Sequence, residues 1–290
     1  MKKIFLFVAF LTFTLVSCNP DLDPSNPVNP SPSDTSSVTP GPTPADNTIK
    51  VGICWSGMNS TGVTYYTKCL GDCGAKMVRF GRYCWTEEEA KTFVSQVDAI
   101  ISPGSTSGDA KTANGDPHNR SVSDDYIIKA AIAAGKPVLG ICYGHQRLNQ
   151  CLGGNMSQVS VLAPTSTVLH KYTVNGENVG VNSEIHNITI DPNSILYSLL
   201  GSTTIMVNSS HEYALNKISS KVWVTAKADD GIVEAIEGKD GLRVMGVQFH
   251  PETLYGKLGL FKFLKIFDWF VDQAKQAKKE RESSSSGGGE

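Results

Sequence analysis

Apolar positions in the first half of the folded chain fall into short β-branched runs, separated by segments with helical spacing. Residues 50–54 (Lys50-Val51-Gly52-Ile53-Cys54) read as a strand, residues 61–70 as a helix closed by Gly71 or Gly74, and residues 75–80 as a second strand. Residues 87–97 follow as a helix with its acids at the N-terminal end, and residues 98–102 as a third strand ending in Pro103-Gly104. Residues 124–134 predict a helix that Gly135 stops. A buried strand at 137–141 comes next, with a helix-like segment at 145–152 behind it. The second half is richer in strands, at 184–190, 203–207, 221–226, 232–237 and 244–249. Leu260, Phe263, Leu264, Phe267, Phe270, Val271 and Ala274 then recur at helical spacing and predict an amphipathic closing helix. Strands alternating with helices imply βαβ crossovers. The expected fold is α/β and three-layered, with a mostly parallel central sheet, helices on both faces in a flavodoxin-like arrangement, and a strand-rich second half.

The two ends break this pattern. Lys2 and Lys3 precede an apolar run, residues 4–16. That run is shorter than the ~20 residues a spanning helix needs, and a basic start with a short apolar stretch is an export signal. It stops at Leu15-Val16-Ser17-Cys18, which resembles the lipobox of bacterial lipoproteins. The resemblance implies lipidation of Cys18 and a membrane-anchored domain in the cell envelope. Residues 1–18 are thus expected to be the signal and 19–47, rich in Pro, Ser, Asp and Thr, a disordered tether. Residues 48–279 are expected to be the catalytic domain, and 280–290, charged and then Ser/Gly-rich, a disordered tail.

With 26 Lys and Arg against 28 Asp and Glu, interspersed, no basic stripe points to nucleic acid. Seven cysteines stand at 18, 54, 69, 73, 84, 142 and 151. Export would allow disulfides, and Cys69 and Cys73 are near enough in sequence to pair, but spacing does not fix connectivity. A Cys-x-x-x-Cys without a nearby His is a poor zinc signature, so no metal and no cofactor are expected.

The chemistry concentrates at Gly140-Ile141-Cys142-Tyr143-Gly144, where the strand ends and a helix begins. Glycines on either side permit a strained turn with Cys142 at its apex, the arrangement of a nucleophile elbow. A thiol at a helix N-terminus is favoured as thiolate. Taken alone, a buried structural Cys explains the motif equally well. His250-Pro251-Glu252, at the end of the last strand, supplies a base and an acid to orient it, which shifts the reading towards catalysis.

These two segments, with Val247-Gln248-Phe249 before His250, resemble the class I glutamine amidotransferase superfamily, and more closely its gamma-glutamyl hydrolase-like branch, which includes gamma-glutamyl-gamma-aminobutyrate hydrolases. Asn149 with Leu152-Gly153-Gly154, His186-Asn187-Ile188-Thr189-Ile190 and Val207-Asn208-Ser209-Ser210-His211 support the match. The resemblance implies that Cys142 attacks a gamma-amide carbonyl, His250 moves the proton and Glu252 orients His250. It implies backbone N–H groups of Tyr143 and Gly104 as the oxyanion hole, and Gln146, Ser209, Ser210 and His211 as the substrate pocket. The implied substrate is a small gamma-glutamyl or glutamine-like amide, and self-association is left open. Pro103-Gly104-Ser105, Tyr213 and the polar segment 108–120 depart from the pattern and bear on the leaving-group side. Two other readings are an amidotransferase subunit passing ammonia to a synthase and a catalytically silent surface binding module.

Overall fold

Neighbouring residues of each central strand send their side chains to opposite faces, and both faces are covered. The computed structural model describes residues 47–54, 58–79, 83–104, 120–174 and 177–286. The signal sequence, Cys18, nearly all of the tether, Ser105 and most of the segment 108–120 lie outside the described residues.

The strands are β1 (Ile49–Ile53), β2 (Ala75–Arg79), β3 (Ala99–Ser102), β4 (Val138–Ile141), β5 (Met156–Gln158), β6 (Thr173–Val174) and β7 (Glu177–Asn178). They continue with β8 (His186–Ile190), β9 (Thr204–Val207), β10 (Tyr213–Leu215), β11 (Val222–Ala228), β12 (Val233–Gly238) and β13 (Val244–Val247). The helices are α1 (Ser60–Asp72), α2 (Glu87–Ser95), α3 (Arg120–Ala133), α4 (Tyr143–Cys151), α5 (Val159–Leu162), α6 (Ile195–Leu200), α7 (Pro251–Gly256) and α8 (Leu264–Ser286).

Nine strands form one sheet in the order β2-β1-β3-β4-β13-β12-β11-β8-β9. The run from β2 to β13 is parallel and has the flavodoxin-like order. From β13 to β9 every pairing is antiparallel. The strand-rich second half therefore extends the parallel sheet sideways rather than forming a separate layer.

Val51, Ile53, Ile101, Leu139, Ile141, Met245 and Val247 join Phe263, Phe267 and Phe270 in the core on one face. Ile100, Val138 and Val244 meet Phe93, Ile127 and Leu148 on the other. Burying each large apolar side chain contributes roughly 1.5–3 kcal/mol, which is why the closing phenylalanines hold α8 against the sheet.

The closing helix runs to Ser286, past residue 280, where a disordered tail was expected. Polar composition was the basis for that boundary. Helical continuity from the buried stripe wins, helped by a two-oxygen contact between Arg243 and Glu280 at 2.8 Å. Among the described residues no helix is long and apolar enough to cross a membrane.

Candidate active site

The parallel register brings three strand ends together. Ser102 of β3 pairs with Gly140 of β4, and Val247 of β13 pairs with Ile141. The Cys142 N–H donates to Val247 O at 2.8 Å, so the chain leaving β4 is tied to the chain leaving β13. Segments more than a hundred residues apart in sequence meet there, at the carboxyl edge of the sheet.

Cys142 has φ +51°, a left-handed conformation that a non-glycine residue adopts only when its surroundings impose it. The glycines around it are required by close approach. A Cβ on Gly140 would sit 2.6 Å from Gly144 O, and a Cβ on Gly144 would overlap Ser102 O. The elbow is therefore as sharp as the motif predicts, and Cys142 stands at the N-terminus of α4.

His250 sits at the N-cap of α7, with Pro251 in the first turn. Its Nδ1 lies 2.7 Å from Glu252 Oε1, and its ring lies close enough to the Cys142 sulfur to interact with it. Burial by itself would lower the imidazole pKa. The Glu252 charge and the Cys142 sulfur outweigh it and hold the pKa well above the usual value, favouring imidazolium. Nδ1 points at the carboxylate, so the other ring nitrogen serves the sulfur.

Gly104 lies against this ring. A Cβ there would come within 2.5 Å of His250 Cε1. The loop carrying Gly104 is anchored from behind by Arg120, which is fully buried and donates to Gly104 O at 3.0 Å and Pro103 O at 2.6 Å. Its guanidinium also lies 4.7 Å from the centre of the Tyr143 ring. Asp124, one turn on, is 3.3 Å from Arg120 Nε and accepts from Ser102 Oγ at 3.1 Å. Burial raises the Asp124 carboxyl to about 6 against the pull of Arg120. Sequence reasoning missed Arg120 and Asp124. Their i, i+4 spacing was the available signal.

The expected pocket residues divide. Gln146 uses its amide hydrogens on Tyr213 O at 2.6 Å and Gln248 Oε1 at 3.1 Å. Ser209 Oγ donates to His170 O at 2.9 Å. His211 has Nδ1 3.0 Å from Tyr213 O and Nε2 3.3 Å from His170 Nδ1. The side chains of Ser209 and His211 thus bond within the protein. Ser210 is the least buried of the three. The motif places Ser209 and His211 in the right loop, but it does not reveal which way each side chain turns.

Cys54, Cys69, Cys73, Cys84, Cys142 and Cys151 are free thiols. The Cys69–Cys73 pairing that the sequence allows is not formed. Away from the elbow, His170, His186 and Glu234 bring ligand atoms within 4.8 Å of one another.

The family model of Peptidase C26 matches residues 57–252. Protein NtpR of Enterococcus hirae is 31% identical over 193 residues, covering 63% of this chain and 78% of that protein. A protein named as glutamine amidotransferase-like, YvdE of Lactococcus lactis subsp. lactis, is 30% identical over 193 residues, covering 64% and 78%. The solved glutaminase domain of Trypanosoma brucei CTPS, with bound acivicin, aligns at a TM-score of 0.55 with 18% identity, covering 79% of this chain and 94% of that one. That alignment supports the fold.

Proposed function

The chain belongs to the Peptidase C26 family, whose class I glutamine amidotransferase-like fold it shares, and we propose that it is a cysteine-dependent hydrolase of gamma-glutamyl amide bonds. The observation that carries this reading is the strained Cys142 at the elbow beside His250, whose Nδ1 lies 2.7 Å from Glu252.

In this reading the Cys142 sulfur attacks the gamma-carbonyl carbon. The developing oxyanion is received by the N–H groups of Tyr143, at the start of α4, and Gly104, at the end of β3. His250 gives its proton to the leaving amine as the C–N bond breaks, which leaves a thioester on Cys142. Water then loses a proton to His250 and attacks the thioester carbonyl. Glutamate or a glutamyl product leaves and the thiol is restored. Glu252 keeps the imidazole in register through both steps. Gln146, through its remaining carboxamide oxygen, and Ser210 are the proposed contacts to the glutamyl part.

Free glutamate release from gamma-glutamyl dipeptides tests the proposal. Wild type should release it and Cys142→Ala should not. Glutaminase activity that appears only when a synthase partner is added would favour the ammonia-delivering reading. Tight binding without turnover by both forms would favour the silent binding module.

The proposed place of action is the bacterial cell envelope, through a lipid on Cys18. The basic start, short apolar run and Ser17-Cys18 end support it. Wild type should fractionate with membranes and Cys18→Ala should not.

A further inference from the structure

Three segments distant in sequence converge on one buried carboxylate carried by a fourth. Glu234 of β12 is fully buried, and Oε1 lies 3.5 Å from His170 Nδ1, 3.5 Å from His211 Nε2 and 3.8 Å from His186 Nε2. His170 precedes β6, His186 opens β8 and His211 follows β9.

The outer nitrogen of each imidazole faces an oxygen acceptor. His170 Nε2 is 2.9 Å from Asp230 Oδ2, His186 Nδ1 is 3.1 Å from Asn187 O, and His211 Nδ1 is 3.0 Å from Tyr213 O. A carboxylate or a carbonyl only accepts, so each outer nitrogen carries the proton. In the neutral ring the inner nitrogen is then a bare lone pair. With all three rings neutral, three lone pairs and a carboxylate point at one another, His170 Nδ1 and His211 Nε2 only 3.3 Å apart; a proton on one inner nitrogen, shared between that pair, is the alternative. Such outer contacts to carboxylate and carbonyl oxygens also orient metal-binding histidines.

Spacing separates the two ways to relieve this. A protonated imidazole closes on a carboxylate to ~2.7–2.9 Å, and His250 does so in this same molecule at 2.7 Å from Glu252. Around Glu234 the gaps are 3.5–3.8 Å, and neither Glu234 oxygen nor His186 Nε2 has a hydrogen-bond partner among the described residues. Ligands ~2.0–2.2 Å from a tetrahedral ion lie about 3.4 Å apart, close to the 3.5–3.8 Å gaps from Glu234 to the three imidazoles and the 3.3 Å between His170 Nδ1 and His211 Nε2. Charge also balances, since the carboxylates of Glu234 and Asp230 together match one divalent cation.

The geometry points to a structural binding site for a first-row divalent cation of the zinc class, held by His170 Nδ1, His186 Nε2 and Glu234, with His211 Nε2 completing the set. Imidazole nitrogens and one carboxylate suit zinc and disfavour magnesium or calcium. The ion would clip the approach to β6, the start of β8 and the Ser209–His211 loop onto β12. The Ser209 Oγ and His211 N–H already bond to His170 O, so the clip would fix the loop beside the proposed glutamyl pocket. The proposal is independent of the catalytic one.

The full chain, stripped with a chelator, is titrated with Zn2+ alone as wild type, Cys142→Ala and Glu234→Gln. Expected are one tightly held equivalent in wild type and in Cys142→Ala, and affinity lower by at least about tenfold in Glu234→Gln. Co2+ in Cys142→Ala should give visible bands of a tetrahedral nitrogen and oxygen set without thiolate charge transfer, and this measurement decides if Glu234→Gln does not fold. Folded wild type without stoichiometric Zn2+ uptake, uptake lost in Cys142→Ala but kept in Glu234→Gln, or a thiolate signature with Co2+ overturns the proposal.

Discussion

Asn208 holds His250 by both polar groups of its backbone: the His250 N–H donates to Asn208 Oδ1 at 2.8 Å, and Asn208 Nδ2 donates to His250 O at 3.1 Å. The same amide nitrogen reaches Val181 O at 2.8 Å. Asn208 thus orients the base from the main chain while Glu252 orients it from the ring. Asn208→Asp keeps the acceptor but turns a second oxygen towards two carbonyls. With net hydrogen bonds of about 1 kcal/mol each, and a cost for unsatisfied groups, this should destabilise the fold by ~2–4 kcal/mol. Activity should fall by on the order of 100-fold through misplacement of the imidazole. Chemical denaturation and steady-state kinetics check both. Wild-type kcat in a folded Asn208→Asp protein would contradict the clamp.

Glu252→Gln removes the largest influence raising the His250 pKa. Folding raises that pKa, so His250 contributes stability at pH below its unfolded value of ~6.5, and loses it as pH rises through the folded value. Without the Glu252 charge the folded value drops. The alkaline limb of kcat/KM should therefore move to lower pH, and the contribution to stability should shrink. A pH–rate series on wild type and variant reads the shift. An unmoved alkaline limb would assign it to another group.

Gly104→Ala tests the space under the base. The new methyl would come within 2.5 Å of His250 Cε1, so the ring must move away from Cys142. The backbone at 104 is not in the left-handed region, so folding should survive while kcat falls on the order of 100-fold. Gly144→Ala is the contrast. Its Cβ meets the main chain at Ser102, which cannot rotate aside, and the variant should fail to fold. Circular dichroism and turnover together separate the two outcomes.

Much of the site was legible because it lies in two short segments whose residue types and strand-end positions coincide. Gly140, Cys142 and Gly144 declare a sharp turn, and His250-Pro251-Glu252 declares a base with its orienting acid. The alternating strands also announced the parallel half of the sheet. What was not legible depends on side-chain direction across large sequence gaps. Asn208 and His250 are 42 positions apart, and the His cluster draws on four segments with no local spacing. Ser209 and His211 lie in the expected loop but turn towards His170. Arg120 opens its helix at the end of a polar segment, where only its i, i+4 spacing to Asp124 hinted at a buried pair. Composition likewise misjudged the end of α8, because a packed stripe carries helical structure into polar residues beyond it.

Arg120→Met tests how the oxyanion loop is held. The variant loses two donations, to Pro103 O and Gly104 O, and leaves Asp124 buried without its guanidinium partner. Breaking a buried pair from one side costs roughly 3–5 kcal/mol. Arg120→Met with Asp124→Asn should recover part of that stability but not the anchoring of the loop. The double variant should therefore fold better than the single one and still turn over slowly, with kcat reduced more than KM is changed. Equal kcat in wild type and double variant would remove Arg120 from loop positioning.

Thiol reactivity gives the last expectation. Burial pushes Cys54, Cys69 and Cys151 well above the ordinary thiol range, and Cys73 to about 12. Those thiols stay protonated at neutral pH, and a thiol reacts with alkylating agents only as thiolate. Cys142 differs by its partner: its sulfur lies beside His250, which is held charged by Glu252. Iodoacetamide at neutral pH should therefore modify Cys142 ahead of Cys54, Cys69, Cys73 and Cys151, as read by peptide mass mapping over time. His250→Ala should slow that step by about tenfold or more while leaving the other four thiols unreactive. Alkylation of Cys54 or Cys151 before Cys142 in the folded protein would mean that the elbow does not activate its sulfur.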